Sequence, residues 1–220
     1  MVHASKPADY YAQPREDFLV WANPRGTSAL DVGCGAGALA PWLRAHGFTY
    51  LAGIEVASAA AEIARAQYDL VVELPVEHAL QTLGGQFDLI VCADVLEHLG
   101  DPWTVLDQLR SVSHETTVLA ASIPNIRHWR AVAKIAFGPG FAYEQSGIFD
   151  STHLRFFARP NVEALLRGAG WSPARWGSPR PGRLGRIRTL LTRLSGGWTD
   201  QWLARQMFVI AVMTKPGPTQ

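Results

Sequence analysis

A glycine-rich segment, ALDVGCGAG at Ala29–Gly37, sets the strongest limit on the fold of this chain. The apolar run before it predicts a β-strand, and the pattern from Leu39 to Ala45 predicts a helix. The three glycines therefore fall in the turn between strand and helix, where backbone can pass close to a ligand and helix amides point toward it. The segment predicts a site for a nucleotide-like cofactor, with tight turns that hold no ligand as the alternative.

Apolar runs of strand length alternate with helical patterns along the rest of the chain. Strands are predicted at Ser28–Val32, Tyr50–Val56, Asp69–Val72, Phe87–Ala93, Thr116–Ser122, Trp171–Trp176 and Gln206–Lys215. Helices are predicted at Leu39–Ala45, Ala59–Gln67, His78–Leu83, Trp103–Ser111, Trp129–Phe137 and Asn161–Gly168. The alternation predicts an α/β fold with a parallel sheet, in one domain spanning residues 1–220.

Three segments lie outside this alternation. Residues 1–26 are predicted to form a helical lead-in, and residues 138–157 form a long irregular insert of a kind that is commonly functional. Residues 178–205 are predicted to form a basic helical insertion before the last strand. Apolar residues recur there at helical spacing between arginines, at Leu184, Ile187, Leu190, Leu191 and Leu194. Core packing is the first interpretation; a lid over the active site and a basic amphipathic segment on an anionic surface are the alternatives.

Composition limits the class of protein. With 48% hydrophobic and 18% charged residues, the chain has enough apolar material for a folded core. Its two cysteines, Cys34 and Cys92, form no CxxC pair, so we predict neither a metal site nor a disulfide framework. No stretch reaches the ~18 apolar residues of a membrane span, and the N-terminus lacks an apolar signal region, so a cytoplasmic location is expected.

Charge is unevenly distributed along the chain. From Ser151 to the C-terminus there are ten arginines and one lysine against Glu163 and Asp200. Two interpretations remain open, a solvated basic face and the attraction of an anionic substrate or surface.

The glycines alone do not distinguish a dinucleotide from other nucleotide-like cofactors. Gly33, Gly35 and Ala38 also satisfy the dinucleotide pattern GxGxxG/A, and Glu55, at the end of the second strand, suits a ribose-binding carboxylate in either cofactor class. An NAD-dependent dehydrogenase is therefore one alternative.

Two further segments narrow the choice, FDLIVCADVLEHL at Phe87–Leu99 and GIFDSTHLRFF at Gly147–Phe157. Together with Asp31 and the glycine loop, they resemble the class I S-adenosylmethionine-dependent methyltransferases, within the large bacterial family of small-molecule enzymes. The resemblance implies a Rossmann-like, doubly wound sheet of seven mostly parallel strands with a final antiparallel strand. It also implies S-adenosylmethionine as methyl donor and S-adenosylhomocysteine as product.

The resemblance further implies which residues hold the cofactor: Asp31, Gly33, Cys34, Gly35, Gly37, Glu55, Val56, Glu73, Asp94 and Val95. Glu55 would accept hydrogen bonds from both ribose hydroxyls, since a carboxylate forms strong charge-assisted bonds. Asp94 is expected near the methionine amino group, with capping of the following turn as its alternative. The family usually offers an acid to the adenine where this chain has Leu74, so Glu73 is expected to substitute from a shifted turn. Cys34 is expected to be a small apolar packing residue.

Methyl transfer requires the protein mainly to orient the nucleophile, because a sulfonium methyl is already electrophilic. A protonated acceptor also needs a general base, for which His98, His128 and His153 are the candidates. Their alternatives are structural: His98, with Glu97, would brace the helix after the fourth strand, and the other two would hydrogen-bond loops. The acceptor is expected to contact Asn125, Asp150 and Arg155. For the last two residues, a mutual salt bridge is the alternative.

The sequence thus predicts O- or N-methylation of a small polar acceptor, including an anionic one such as a carrier-linked metabolite, or a sugar. Nucleic acid is not expected, because the residues after the fourth strand, Ala93–Leu96, lack the Asp/Asn-Pro-Pro-aromatic turn that holds a flipped base. The stretch from Ser122 to Trp129 also resembles methyltransferase-like proteins of methionine biosynthesis that act through a partner enzyme. A non-catalytic or partner-dependent protein is therefore a second alternative, and a homodimer remains open.

Overall fold

Strands and helices alternate through residues 15–138, 141–179, 189–190 and 192–214, the parts of the chain that the computed structural model describes. The strands are β1 (Ser28–Val32), β2 (Tyr50–Ile54), β3 (Leu70–Val72), β4 (Phe87–Ala93), β5 (Ser113–Pro124), β6 (Trp171–Gly177) and β7 (Gln206–Met213). The helices are α1 (Glu16–Ala22), α2 (Ala40–Ala45), α3 (Ser58–Ala64), α4 (Val76–Thr82), α5 (Pro102–Gln108), α6 (Trp129–Phe137), α7 (Arg159–Gly168) and α8 (Asp200–Leu203). Short 3₁₀ turns cover Leu96–His98 and Leu109–Val112.

The strands form one seven-stranded sheet in the order β3-β2-β1-β4-β5-β7-β6. The first five strands pair in parallel, while β7 runs antiparallel to both β5 and β6. This confirms the predicted doubly wound sheet and its final antiparallel strand. From β1 the chain adds β2 and β3 on one side, and then crosses over to add β4 and β5 on the other. Open α/β sheets bind ligands in the crevice at such a switch point, outside the carboxyl ends of the strands.

Helices cover both faces of the sheet because the central strands are apolar on both sides. Leu30 and Ile90 face one hydrophobic cluster, which includes residues of α4, α5 and α7. Their neighbours Ala29 and Leu89 face a second cluster with Phe18 of α1 and residues of α2. The alternation follows from the two-residue period of a strand, and it leaves both faces of the sheet covered by helices.

The structure differs from prediction in the lengths of some elements. Strand β5 extends beyond the predicted Thr116–Ser122 at both ends. At its start Ser113 pairs with Phe87 across a bulge, and at its end Pro124 still pairs with Gln206. Helix α4 begins at Val76, directly after Pro75, rather than at His78. The predicted lead-in contains α1, and its first 14 residues lie outside the described part.

The core-packing interpretation of the basic insertion is wrong for two of its five apolar residues. Leu190 and Leu194 are 57% and 76% exposed. Leu184, Ile187 and Leu191 lie outside the described residues. None of the helices that the structure describes is long and apolar enough to cross a membrane.

Candidate active site

The loop between β1 and α2 carries the three glycines of the sequence motif. The amides of Gly33 and Cys34 both donate to the carbonyl of Ile54, at 2.8 and 3.0 Å, which fixes the loop to the end of β2. Gly33 has a φ of +70°, and a Cβ there would lie 2.8 Å from Val95 Cγ2. Gly35 and Gly37 also have positive φ. Only glycine lets this loop pass so close to the turn after β4, and the ends of β1, β2 and β4 therefore meet.

Glu55 lies just after β2 and holds two loops together. Its Oε2 accepts from the Gly35 amide at 2.9 Å, and its Oε1 accepts from the Ala57 amide at 2.8 Å. The side chain is only 6% exposed, while the neighbouring Val56 is 48% exposed. A carboxylate oxygen can accept more than one hydrogen bond, so Glu55 retains acceptor capacity toward a ligand at the loop.

Asp31, on β1, lies beneath the loop rather than on its surface. It is 2% exposed, and its Oδ2 accepts a 2.5 Å hydrogen bond from the Tyr68 hydroxyl. Burial raises the pKa of Asp31 to about 7, against the opposing effect of the Tyr68 hydrogen bond. The thiol of Cys34 lies in the same interior, next to Gly53, where a Cβ would approach Sγ to 2.6 Å. Burial raises the pKa of that thiol, which agrees with its expected packing role.

Asp94 follows β4 in a left-handed conformation, with φ at +57°. Its carboxylate accepts from Ser122 Oγ at 3.0 Å and from Gln206 Nε2, and it forms an ion pair with Arg15. The 3₁₀ turn that follows has Val95 as its N-cap and no side-chain cap, so the capping alternative for Asp94 is wrong. The structure places Asp94 and Val95 beside the glycine loop, with Arg15 and Gln206 as neighbours that the sequence analysis did not identify.

Glu97, His98 and His153, here called the Glu97 cluster, come together where the turn after β4 meets the insert. The side chain of Glu97 is 1% exposed, and neither of its oxygens has a hydrogen-bond partner among the described residues. His153 Nε2 lies 4.0 Å from Glu97 Oε1. Each of the three residues offers one atom that could bind a metal ion, and these atoms all lie within 4.8 Å of one another. The cluster could therefore share a proton or hold a metal ion, although the sequence analysis predicted no metal site. Burial raises the pKa of Glu97 to about 8.

The tautomers of the two histidines follow from their neighbours. His98 Nδ1 lies 3.1 Å from the Thr152 carbonyl, and His153 Nδ1 lies 3.0 Å from the Ile148 carbonyl. Because a carbonyl oxygen can only accept, each Nδ1 must carry a proton, and each neutral ring then has its lone pair on Nε2. Both histidines therefore also fasten the insert; for His153 this is the loop hydrogen bond of its structural alternative, while the contact of His98 with the insert was not predicted.

The insert is tied to the turn after β4 by its backbone as well. The Glu97 carbonyl accepts from the amides of Leu154 and Arg155, at 2.8 and 3.0 Å. Arg155 donates to the Gly100 carbonyl at 2.6 Å, while Asp150 Oδ1 accepts from the amide and the hydroxyl of Thr152. Asp150 and Arg155 thus bind different groups, and no salt bridge joins these two described residues.

Asn125 ends β5 and anchors the segment before β7. Its Nδ2 donates to the carbonyls of Gln201 and Ala204, both at 2.8 Å, and its Oδ1 accepts from the Arg127 amide. The side chain is 1% exposed. Asn125 therefore shapes the edge of the site through other residues.

A cavity of about 150 Å³ lies between α6 and the insert. Its lining includes three cationic side chains, Arg130, Lys134 and Arg205. The buried His128 and the carboxylate of Glu144 also line it. Lys134 is paired with Glu144 at 2.6 Å. Neither Arg130 nor Arg205 forms a salt bridge with another described residue. The sequence analysis found His128 but missed these cations, of which only Arg205 belongs to the basic stretch that follows Ser151.

Glu73, the expected adenine-binding residue, follows β3 and is partly exposed. Its Oε2 accepts from Arg65 at 2.7 Å. Hydrogen bonds from Ser58 and Arg65 lower the pKa of Glu73. The structure thus places Glu73 at the same edge as the glycine loop, already paired with α3.

Comparisons with known proteins agree with this geometry. A family model described as methyltransferase domain matches residues 4–174. A ubiquinone biosynthesis O-methyltransferase from Acinetobacter baylyi is 35% identical over 88 residues, covering 37% of each chain. One from Escherichia coli is 35% identical over 88 residues, covering 37% of this chain and 36% of its own. The chain thus matches little more than a third of these curated relatives.

Solved structures share the fold at low sequence identity. An S-adenosylmethionine-dependent methyltransferase from Archaeoglobus fulgidus has a TM-score of 0.66 and 15% identity, covering 88% of this chain and 90% of its own. One from Clostridium acetobutylicum has a TM-score of 0.62 and 11% identity, covering 98% and 95%. The plantazolicin methyltransferase BamL, solved with S-adenosylhomocysteine, has a TM-score of 0.59 and 14% identity, covering 94% and 84%.

Proposed function

Because this chain belongs to the methyltransferase-domain family, we propose that it transfers the methyl group of S-adenosylmethionine to a small polar acceptor. One observation carries the proposal: the glycine loop, Glu55 and the turn at Asp94 and Val95 meet at the ends of β1, β2 and β4. That arrangement gives one crevice with backbone amides, a carboxylate beside them and a second carboxylate across the loop.

Each group has a distinct part in holding the cofactor. Glu55 binds the vicinal ribose hydroxyls, because its two oxygens are fixed by backbone amides and face the loop. Asp94 attracts the methionine ammonium, sharing its carboxylate with Arg15. The glycine backbone lies along the methionine half. In the transfer itself, the acceptor's lone pair attacks the methyl carbon, the carbon–sulfur bond breaks, and sulfur keeps the bonding pair as S-adenosylhomocysteine.

We infer that the acceptor carries an anionic group. The cavity beside α6 offers Arg130 and Arg205, neither with a salt-bridge partner among the described residues, and His128 at its wall. Guanidinium groups bind carboxylates and phosphates through paired hydrogen bonds. The cavity adjoins the insert at Ile148, whose carbonyl orients His153. An acceptor held there would extend toward the Glu97 cluster and the methyl donor.

The proton of an O–H or N–H acceptor goes to a histidine of the Glu97 cluster. His98 and His153 both present an unprotonated Nε2 in their neutral form, as their carbonyl contacts require. Positioned bases of this kind contribute roughly 10²–10⁴-fold to a rate. His153→Asn should therefore slow methyl transfer by at least roughly tenfold and leave S-adenosylmethionine affinity unchanged. A chelator that abolished transfer by the unaltered chain would instead assign the cluster to a metal ion.

Calorimetry with S-adenosylmethionine, S-adenosylhomocysteine and NAD tests the cofactor directly. Glu55→Ala should weaken S-adenosylmethionine binding by about 1.5–3 kcal/mol, the worth of a hydrogen bond to a charged group. Glu62→Ala is the matched control, since that carboxylate lies on α3, is 77% exposed and pairs with Arg65. Preference for NAD, or equal affinity in the two variants, would overturn the assignment. Cofactor binding without transfer over a broad acceptor screen would favour the partner-dependent alternative.

A further inference from the structure

Helix α6 presents its apolar side outward. Of its nine residues only Ala131 is buried. Trp129, Val132 and Ile135 are 50%, 38% and 44% exposed, and Phe137 at the C-terminal end is 90% exposed. A surface helix of a globular protein normally turns such residues toward the core. The helix therefore exposes its apolar residues rather than packing them into the core.

Two aromatic residues after α6 enlarge this surface. Phe141 and Tyr143 are 46% and 59% exposed, with their ring centroids 5.5 Å apart. We call the surface formed by the exposed apolar residues of α6 and these two rings the α6 face. An exposed apolar patch of this kind marks an interaction site more often than an isolated apolar residue does.

Two arginines at the N-terminal end of α6 have no carboxylate partners. Arg127 and Arg130 form no salt bridge with any other residue in the described ranges. They stack on Trp202 and Trp129 instead, 4.4 and 5.2 Å from the ring centroids. Between residues 126 and 143 the sequence contains no acidic residue at all. The uncompensated charge therefore calls for an anionic partner.

A second exposed segment belongs to the same edge of the sheet. Leu194 and Trp198 are 76% and 60% exposed. The segment is connected to the end of β5, because Asn125 donates to the Gln201 carbonyl and Arg127 donates to Gln201 Oε1 at 3.0 Å. Apolar and basic residues from two separate parts of the chain thus lie on the edge that also carries the cofactor loop.

We propose that the α6 face binds the surface of an anionic lipid bilayer. Exposed tryptophan, phenylalanine and isoleucine beside arginine are the composition of a helix that lies in the bilayer interface, with apolar side chains among the acyl chains and cations at the headgroups. A second copy of the chain fits less well, since pairing two α6 faces would bring their arginines together. An anionic bilayer neutralises the arginines and covers the apolar residues at once.

Vesicle co-sedimentation tests this binding, using phosphatidylcholine alone and phosphatidylcholine mixed with phosphatidylglycerol. The unaltered chain should bind the mixed vesicles, and added salt should weaken that binding. The double variant Ile135→Ser/Phe137→Ser should lower the partition coefficient roughly tenfold or more, because two side chains no longer enter the acyl region. Arg127→Gln should lower it at low salt and change it little at high salt.

The matched control is Ile63→Ser, because Ile63 is 56% exposed on α3. It should bind mixed vesicles as the unaltered chain does, and calorimetry with S-adenosylmethionine should show that every variant is folded and binds cofactor. Equal vesicle binding by the double variant, or equal binding to both vesicle types, would overturn the proposal. So would a self-association, measured by sedimentation velocity, that the double variant abolishes while no vesicle binding is seen.

Discussion

The hydrogen bond between Tyr68 and Asp31 allows a prediction that can be worked from the structure. Burial raises the pKa of Asp31 from its ordinary value of 3.8 to about 7, so the folded state holds this proton more tightly than the unfolded state. The stability linked to that proton is complete below about pH 4 and is lost as the pH rises through about 7. Above pH 7 the Tyr68 hydroxyl donates to a buried carboxylate, and below it to a neutral carboxyl group.

Tyr68→Phe should therefore destabilise the protein more at high pH than at low pH. A hydrogen bond between neutral groups contributes about 0.5–1.5 kcal/mol, and one to a charged group about 1.5–3 kcal/mol. The tyrosine is 6% exposed, so water cannot replace the lost hydroxyl. We expect the variant to lose about 1 kcal/mol at pH 5.5 and about 2–3 kcal/mol at pH 8.5, because removing the donor raises the pKa of Asp31 further.

Urea unfolding at the two pH values measures both losses. Tyr50→Phe is the matched control, since Tyr50 is 42% exposed and its variant should lose little at either pH. Asp31→Asn combined with Tyr68→Phe should abolish the pH dependence of the loss. An equal loss at pH 5.5 and 8.5 in the single variant, or a larger one at pH 5.5, would refute the reasoning.

Three further predictions concern residues with close neighbours. Gly33→Ala should weaken S-adenosylmethionine binding, because its Cβ would lie 2.8 Å from Val95 at a φ of +70°; calorimetry measures this against Gly84→Ala, where nothing lies within 4 Å. Burial by itself would raise the pKa of Asp88, but hydrogen bonds from two backbone amides outweigh it and lower that pKa to about 2. The stability of the protein should therefore fall as the pH drops from about 4 to 2. An unchanged acid transition in Asp88→Asn would contradict this. Gly177→Ala should lower the free energy of unfolding by about 1–3 kcal/mol, since its Cβ would lie 2.2 Å from an indole of α1; a thermal melt unchanged from the parent's would rule this out.

Much of the fold could be predicted because local signals and the global fold agree. Ser28–Val32 is apolar, has strand length and ends at glycines, and the structure gives β1 the same limits. The end of β5 was harder to predict, since Pro124 cannot donate to a ladder but still pairs with Gln206 at the end of the strand. Exposure of Leu194 could not be predicted either, because an apolar residue at helical spacing faces the core in one packing and a bilayer in another.

In the candidate site, too, some positions could be predicted from local sequence signals and others could not. Glu55 was predictable because parallel strands end at one edge, and a carboxylate at the end of β2 must lie near the loop after β1. The partners of Asp94 were not, because Arg15 and Gln206 are remote in sequence and only the docking of β7 on β5 brings Gln206 to that carboxylate. The pairing of Glu97 with His153 likewise depends on the path of an irregular insert, for which sequence periodicity gives no guide.

The polar groups of the site are fixed by contacts from other segments, and this decides how its variants should be interpreted. Glu55 holds the amides of Gly35 and Ala57, so removing its carboxylate would disturb the loop as well as the proposed ribose contact. Asp94 is shared by three segments of the chain in the same way. A truncation to alanine therefore measures loop order and ligand contact as one quantity. Comparing S-adenosylmethionine with 5′-methylthioadenosine, which has the ribose but no ammonium, distinguishes the two carboxylates: loss of the proposed ribose site at Glu55 should weaken both ligands equally, whereas loss of a charge contact at Asp94 should weaken only the first.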